Sequence, residues 1–240
     1  FENIALGVRE AKYKTFEISK ILERLVEKGK IVTKKAYADW ETYGKYKQPF
    51  HEAAIELIEV PRKSYSGKNS ADIRMVVDAM DLCSFKENIN VFAIASGDSD
   101  FSPLVSKLKE NDKYVIGVGV KNSTSKLLIE NCDEFIFYED LVREPATSNQ
   151  QQHRLREMPK KQKEAFERIL DAIQALLREN KEVIWGSMIK QTIKRKHPEF
   201  NEEYYGYRSF SQLLEDAQTR NMLTLKKDMR SGSYIVTPTE

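Results

Sequence analysis

The sequence predicts an α/β domain on a doubly wound, mostly parallel sheet, followed by a second, smaller winged-helix domain. Three observations carry that reading. Short apolar runs such as Val91–Ala95 alternate with amphipathic stretches as far as Tyr138, the rhythm of strands joined by helices. A polar, Gln-rich stretch from Ala146 to Lys161, with Pro145 and Pro159 at its edges, then interrupts the apolar periodicity and reads as a linker. Beyond it, three helical patterns precede two short extended runs. The expected division is 1–144, a linker over 145–160, and 161–240.

Each element follows from its pattern. Glu17 to Lys28 sets Ile18, Ile21, Leu22, Leu25 and Val26 on one helical face, and Gly29 stops the helix. Ile31 to Trp40 reads as extended, Pro49 to Glu56 as a short helix, and Leu57-Ile58-Glu59-Val60 as a strand ended by Pro61. A helix from Ser70 to Leu82 is predicted to bury Ile73, Val76, Val77 and Met80. Val91–Ala95 is continuous and apolar, as in a strand covered on both faces. Helices over Phe101–Glu110 and Ser123–Asn131 alternate with strands over Tyr114–Val120 and Glu134–Tyr138. After the linker come helices over Lys163–Glu179, Trp185–Lys196 and Ser209–Arg220. A hairpin then turns at Ser231-Gly232.

Bulk properties exclude several classes. With 240 residues, one or two compact units are expected. The 40% hydrophobic and 32% charged content describes a globular rather than a disordered chain. No apolar run approaches the ~18–20 residues a membrane span needs, and no signal-peptide pattern opens the chain, so no membrane association is expected. Cys83 and Cys132 lack CxxC spacing, as expected of a reduced, cytoplasmic protein, and three scattered histidines argue against zinc. Net charge is +2. About 22 basic and 24 acidic residues lie up to Glu144, and about 17 and 13 beyond it, so the mild positive excess sits in the C-terminal part.

The chemistry concentrates in Ala95-Ser96-Gly97-Asp98-Ser99-Asp100-Phe101. Gly97 permits a tight turn, and Asp98 and Asp100 follow a strand's carboxyl end, where ligands of α/β sheets bind. Two carboxylates that close repel unless a cation, a proton or a basic group lies between them. Hard oxygen ligands suit Mg²⁺ or Mn²⁺. The alternative is that one of them caps the helix that follows. Asp72 opens the helix after Gly67-Lys68-Asn69-Ser70-Ala71 and either serves that N-terminus or faces the same cavity. Asp78, six residues on, falls on a different face and reads as solvated or supporting.

The run Gly67–Asp72 with its helix, the Ser96–Phe101 loop and the segment Cys132–Leu141 resemble the NYN domain family of PIN-like nucleases, in its LabA-like branch. The opening Phe1-Glu2-Asn3-Ile4-Ala5-Leu6-Gly7 resembles that family's first motif, in which an apolar strand ends in Asp three positions before Asn. The resemblance places that Asp and its strand ahead of Phe1, so a chain beginning at Phe1 would lack one metal ligand. It implies a metal-dependent ribonuclease in which Asn3 orients the site and Asp72, Asp98 and Asp100 bind one or two divalent ions. It also implies help from the Ser96 hydroxyl.

Lys68 and Lys121 near strand ends are candidate phosphate contacts, or ordinary surface lysines. Tyr37, Trp40, Tyr43 and Tyr46, interleaved with Lys45 and Lys47, offer either base stacking, with Trp40 foremost, or core packing. The segment Tyr204–Leu214, together with Ser231–Val236, resembles the OST-HTH (LOTUS) domain, which implies binding of RNA or of a protein partner. Lys190, Lys194, Arg195 and Lys196 make a basic helix side, either an RNA or partner surface or a solvated face. The leading expectation is an endoribonuclease acting on single-stranded RNA. The runner-up is a non-catalytic RNA-binding adaptor, and a homodimer is compatible with either.

Overall fold

A computed structural model describes residues 1–13, 15–60, 70–143, 155, 158–179, 181–229 and 231–238. The chain divides into two compact units, one of Phe1–Leu25 and Ile31–Glu144, the other of Val26–Lys30 and Pro145–Glu240.

In the first unit α1 (Glu2–Glu10) precedes α2 (Ile18–Lys28, its last three residues grouped with the second unit), β1 (Lys35–Ala38), α3 (Lys47–Glu52) and β2 (Glu56–Glu59). There follow α4 (Ser70–Phe85), β3 (Val91–Ala95), α5 (Ser102–Glu110), β4 (Tyr114–Gly119), α6 (Lys126–Asn131), β5 (Glu134–Phe137) and α7 (Tyr138–Val142). All strand pairings here are parallel, as expected of an alternating chain. Among the described residues they form two sheets, β1-β2 and β3-β4-β5. One core gathers Ile4, Val8, Phe16, Ile21, Trp40, Phe50, Val118 and Tyr138; a second gathers Phe92, Ile94, Leu104, Val105, Leu108, Val115 and Leu128. Gly117 in β4 is a packing requirement: a Cβ there would stand 2.3 Å from the Phe135 ring.

Two expectations about which face is buried fail. In β3 only Phe92 and Ile94 are buried, while Val91, Ala93 and Ala95 are exposed. Phe92 and Ile94 face the second core, while the opposite face of the strand, with Val91, Ala93 and Ala95, is left exposed among the described residues, so β3 is covered on one face. In α4, Ile73 and Val77 are 63% and 50% exposed, while Asp78 is 8% exposed. Asp78 Oδ2 accepts from the Tyr37 hydroxyl at 2.9 Å and from Lys35 Nζ at 3.3 Å, and Arg74 Nε lies 3.2 Å from Oδ1. Val76 and Met80 do pack, with Met75, Ala79 and Cys83, against the second core, and the hydrogen-bonded Asp78 carboxylate faces β1 beside them.

In the second unit α8 (Lys160–Arg178) leads to β6 (Ile184–Trp185), α9 (Gly186–Lys196), α10 (Phe210–Thr219), β7 (Leu223–Lys227) and β8 (Tyr234–Pro238). Phe166, Ile169 and Ile173 of α8, Ile189 and Ile193 of α9, and Leu213 and Leu214 of α10 share one core. Ser209 caps α10, its Oγ accepting from the Gln212 N–H at 3.2 Å. The antiparallel sheet runs β6-β8-β7. This is the predicted winged-helix outline with one short strand added.

Candidate active site and cationic surface

The first site is built where β3 ends. Ser96 is buried, and its hydroxyl oxygen accepts from the Asp98 N–H at 3.2 Å. The Gly97 N–H donates to Asn3 Oδ1 at 2.7 Å, and the Gly97 carbonyl accepts from the Ser125 N–H at 2.8 Å. The loop is thereby tied to α1 on one side and to the turn after β4 on the other. A Cβ at position 97 would meet the Ser123 carbonyl oxygen at 2.5 Å, Thr124 Cα at 3.0 Å and Asn3 Oδ1 at 3.1 Å. Only glycine fits there.

Asp98 caps the turn that enters α5, one carboxylate oxygen accepting from the Asp100 N–H at 3.0 Å. Capping and ligation do not compete, because the cap occupies one oxygen of two. Asp98 is half-buried and Asp100 exposed. Asp72, in the first turn of α4, is half-buried. Its carboxyl pKa is raised, first by burial, then by the negative charge of Asp98 and, more weakly, of Asp100 and Glu2; the amino group of Phe1 offsets part of this. Carboxylates from α1 and from the β3–α5 loop therefore act through space on Asp72 of α4. Sequence reasoning misses Glu2 because it anticipates no helix in the opening residues.

The donor set suits a hard divalent cation: it is entirely carboxylate oxygen, with no thiol or imidazole. Among the described residues, however, no three acidic, His or Cys side chains close on a single point to hold a metal ion. The chemistry fits, and the described side chains do not by themselves complete a coordination shell. Two buried hydroxyls, Ser102 Oγ at the start of α5 and Ser123 Oγ beside the Gly97 loop, lack a hydrogen-bond partner among the described residues.

Other expected contacts divide. Trp40 is 1% exposed, stacks on Phe1 with ring centroids 5.5 Å apart, and donates from Nε1 to the Ile58 carbonyl at 3.1 Å. Its expected stacking on a base is therefore corrected: the ring has no free face. Tyr43 and Tyr46 pack edge-on around the same Phe1. Lys121, just beyond β4, is exposed and pairs with Asp140 at 2.7 Å. Lys68 lies outside the described residues. Cys132 packs under Gly117, and burial pushes its thiol up to about 11.

The expected basic side of the second unit lies on α9. Lys190 Nζ donates to Glu202 at 2.7 Å, and Arg195 Nη1 to the carbonyl of Glu27, grouped in the same unit, at 2.5 Å. Lys194 is exposed and makes no hydrogen bond or ion pair among the described residues. Lys196 does not belong to an open surface: its side chain is 10% exposed and its ammonium donates to Asp171 at 2.5 Å. That part of the expectation is corrected, since the charge is already paired inside the unit.

Comparison with known proteins agrees with this architecture. Residues 1–139 match the model of the NYN domain, and residues 164–227 that of the OST-HTH/LOTUS domain. An uncharacterized protein of Methanocaldococcus jannaschii is 33% identical over 124 residues, covering 50% of this chain and 46% of that protein. The chain thus spans about half the length of this curated relative. A crystal structure of a Vibrio parahaemolyticus protein of unknown function superposes with a TM-score of 0.51 at 24% identity, covering 58% of this chain and 89% of that one. It shares the fold. With one family model spanning more than half of the sequence and the second following it in order, the chain belongs to the NYN domain family and carries an OST-HTH/LOTUS domain after it.

Proposed function

We propose that the protein is a metal-dependent endoribonuclease that cuts single-stranded RNA at the carboxylate cluster, with the winged-helix unit holding RNA or a protein partner. NYN domains belong to the PIN-like nuclease superfamily, which supports nuclease chemistry. One observation carries the reading: Asp72 on α4 lies in the field of Asp98 and Asp100 on the loop after β3. An acid placed in the field of others from separate elements is held in its neutral form to higher pH unless a cation balances them, and a protein that only binds RNA gains nothing from that repulsion.

In this reading Asp72, Asp98 and Asp100 hold Mg²⁺ or Mn²⁺, which when bound supplies electrostatic stabilisation of the charge building on the phosphodiester. Asn3 and Ser96 keep the loop in register through the bonds to the Gly97 and Asp98 amides. Lys121 holds a phosphate, which readily displaces Asp140, since an exposed pair contributes only about 0–1 kcal/mol. The runner-up, a non-catalytic RNA-binding adaptor, draws on the absence of a closed three-ligand group among the described residues. Cleavage assays separate the two. The natural protein, with any strand that precedes Phe1, is expected to cut single-stranded RNA in Mn²⁺ or Mg²⁺, to stop in EDTA, and to lose activity on Asp98→Asn. Undiminished cleavage by the Asn variant, or none by the wild type across varied RNAs, refutes the proposal.

A further inference from the structure

Three helix ends meet in the second unit, which takes in Val26–Lys30 from early in the chain. They are the last turns of α2, with Glu27 and Lys28, of α8, with Arg178, and of α9, with Arg195 and Lys196. The last four carbonyls of a helix have no partner within it, and the helix dipole leaves that end partly negative. Cations are favoured there and a carboxylate is not. Glu27 is out of place on local grounds.

The tertiary contacts supply the reason for it. The Glu27 side chain is 3% exposed, and its Oε1 accepts from Arg178 Nη2 at 2.6 Å and from Lys196 Nζ at 3.1 Å. Arg195 Nη1 donates to the Glu27 main-chain carbonyl, one of the four that α2 leaves unsatisfied, at 2.5 Å. Lys28 Nζ donates to both carboxylate oxygens of Glu179, the residue that ends α8, at 2.8 and 2.9 Å. Burial pushes the Glu27 carboxyl upward, but the bonds and charges of Arg178 and Lys196 outweigh it and hold the pKa below its ordinary value. Exposed pairs contribute little, whereas a buried charge stripped of its partner is strongly destabilising.

We infer that Val26–Lys30 is a latch of the second unit: Glu27, seated in a notch of Arg178, Arg195 and Lys196, holds the ends of α8 and α9 together, and the winged-helix unit is complete only with this segment. The latch comes from 151 residues before Arg178, far outside the stretch that the sequence marks as the second domain. Arg195 and Lys196 thereby serve the fold, the first by capping α2 and the second by neutralising its buried acid. The inference goes beyond the proposed function and stands whether or not the acids of the first unit bind metal.

The test is hydrogen–deuterium exchange by mass spectrometry on the full chain, with far-UV circular dichroism to confirm folding. Glu27→Ala is expected to speed exchange across the last turns of α8 and α9 about tenfold or more, and to leave β4 and β5 within about twofold of wild type. Glu27→Gln, which keeps the shape and loses the charge, is expected to change the same peptides less, and it carries the test if the alanine variant does not fold. Arg178→Ala, on the other side of the bond, is expected to speed exchange over the last turn of α2. The double variant Glu27→Ala/Arg178→Ala is expected to exchange no faster than the faster single variant, because both remove one contact. Unchanged exchange over α8 and α9 in a folded Glu27 variant, a rise confined to the first unit, or single effects that multiply in the double variant overturns the inference. None of these readouts involves cleavage, so the nuclease reading can fail without touching it.

Discussion

At the residue scale, two aspartates six positions apart on α4 face opposite demands. Burial and neighbouring acids raise the pKa of Asp72. Its folded value lies above its unfolded one, so its contribution is present below the ordinary carboxylate range and is lost as pH rises through the folded value. Asp72→Asn is therefore expected to raise the melting temperature at pH 7 while abolishing cleavage, with the two proteins converging at acid pH. For Asp78 burial also pushes upward, but the Tyr37 and Lys35 hydrogen bonds and the charges of Lys35 and Arg74 outweigh it, and the pKa is lowered. Its contribution is present above the unfolded value and is lost as pH falls through the folded one. Asp78→Ala is expected to cost about 1–3 kcal/mol at neutral pH in urea melts, by stranding the buried Tyr37 hydroxyl without its acceptor. The sequence marks Asp72 through the Gly67–Ala71 run that precedes it. It cannot mark Asp78 as buried, because that depends on Lys35 and Tyr37, some forty residues away.

At the element scale, the β3–α5 loop and α1 form one mechanical piece through the Asn3–Gly97 bond. Gly97→Ala would drive a Cβ into the Ser123 carbonyl, and a chemical melt is expected to show a loss of about 1–3 kcal/mol, with cleavage falling alongside. Most strands and helices are legible in the sequence because their apolar periods are clean: Val91–Ala95 and Ile18–Lys28 fall where the pattern places them. Faces are less legible than elements. Ile73 and Val77 have the spacing of a buried stripe, yet α4 packs Val76 and Met80 on the second core and leaves the other two exposed. The aromatic run from Tyr37 to Tyr46 has the composition of either a stacking platform or a core, and ring packing around Phe1 decides for core. α1 and β6 escape prediction, the first because Ile4, Ala5 and Val8 give little more than one turn of helical spacing, the second because two residues give no pattern.

At the scale of the whole molecule, the acids proposed for chemistry lie in one unit and the basic side of α9 in the other. Asp98→Asn is accordingly expected to leave RNA affinity within about twofold while removing cleavage, read by anisotropy and by gel on the same preparation. The modest net charge of +2 conceals this segregation, which becomes visible only when the sequence is divided at Glu144. The thiols offer a different use. Cys83 is buried, and Cys132, half-buried beneath a glycine, keeps its proton at neutral pH. Cys132 does not present a ready nucleophile to an alkylating reagent while it stays packed against β4, nor does Cys83 while α4 stays on the second core. Maleimide uptake should then be slow and limited by transient opening of this packing, so labelling followed by mass spectrometry becomes a clock for local breathing in the first unit.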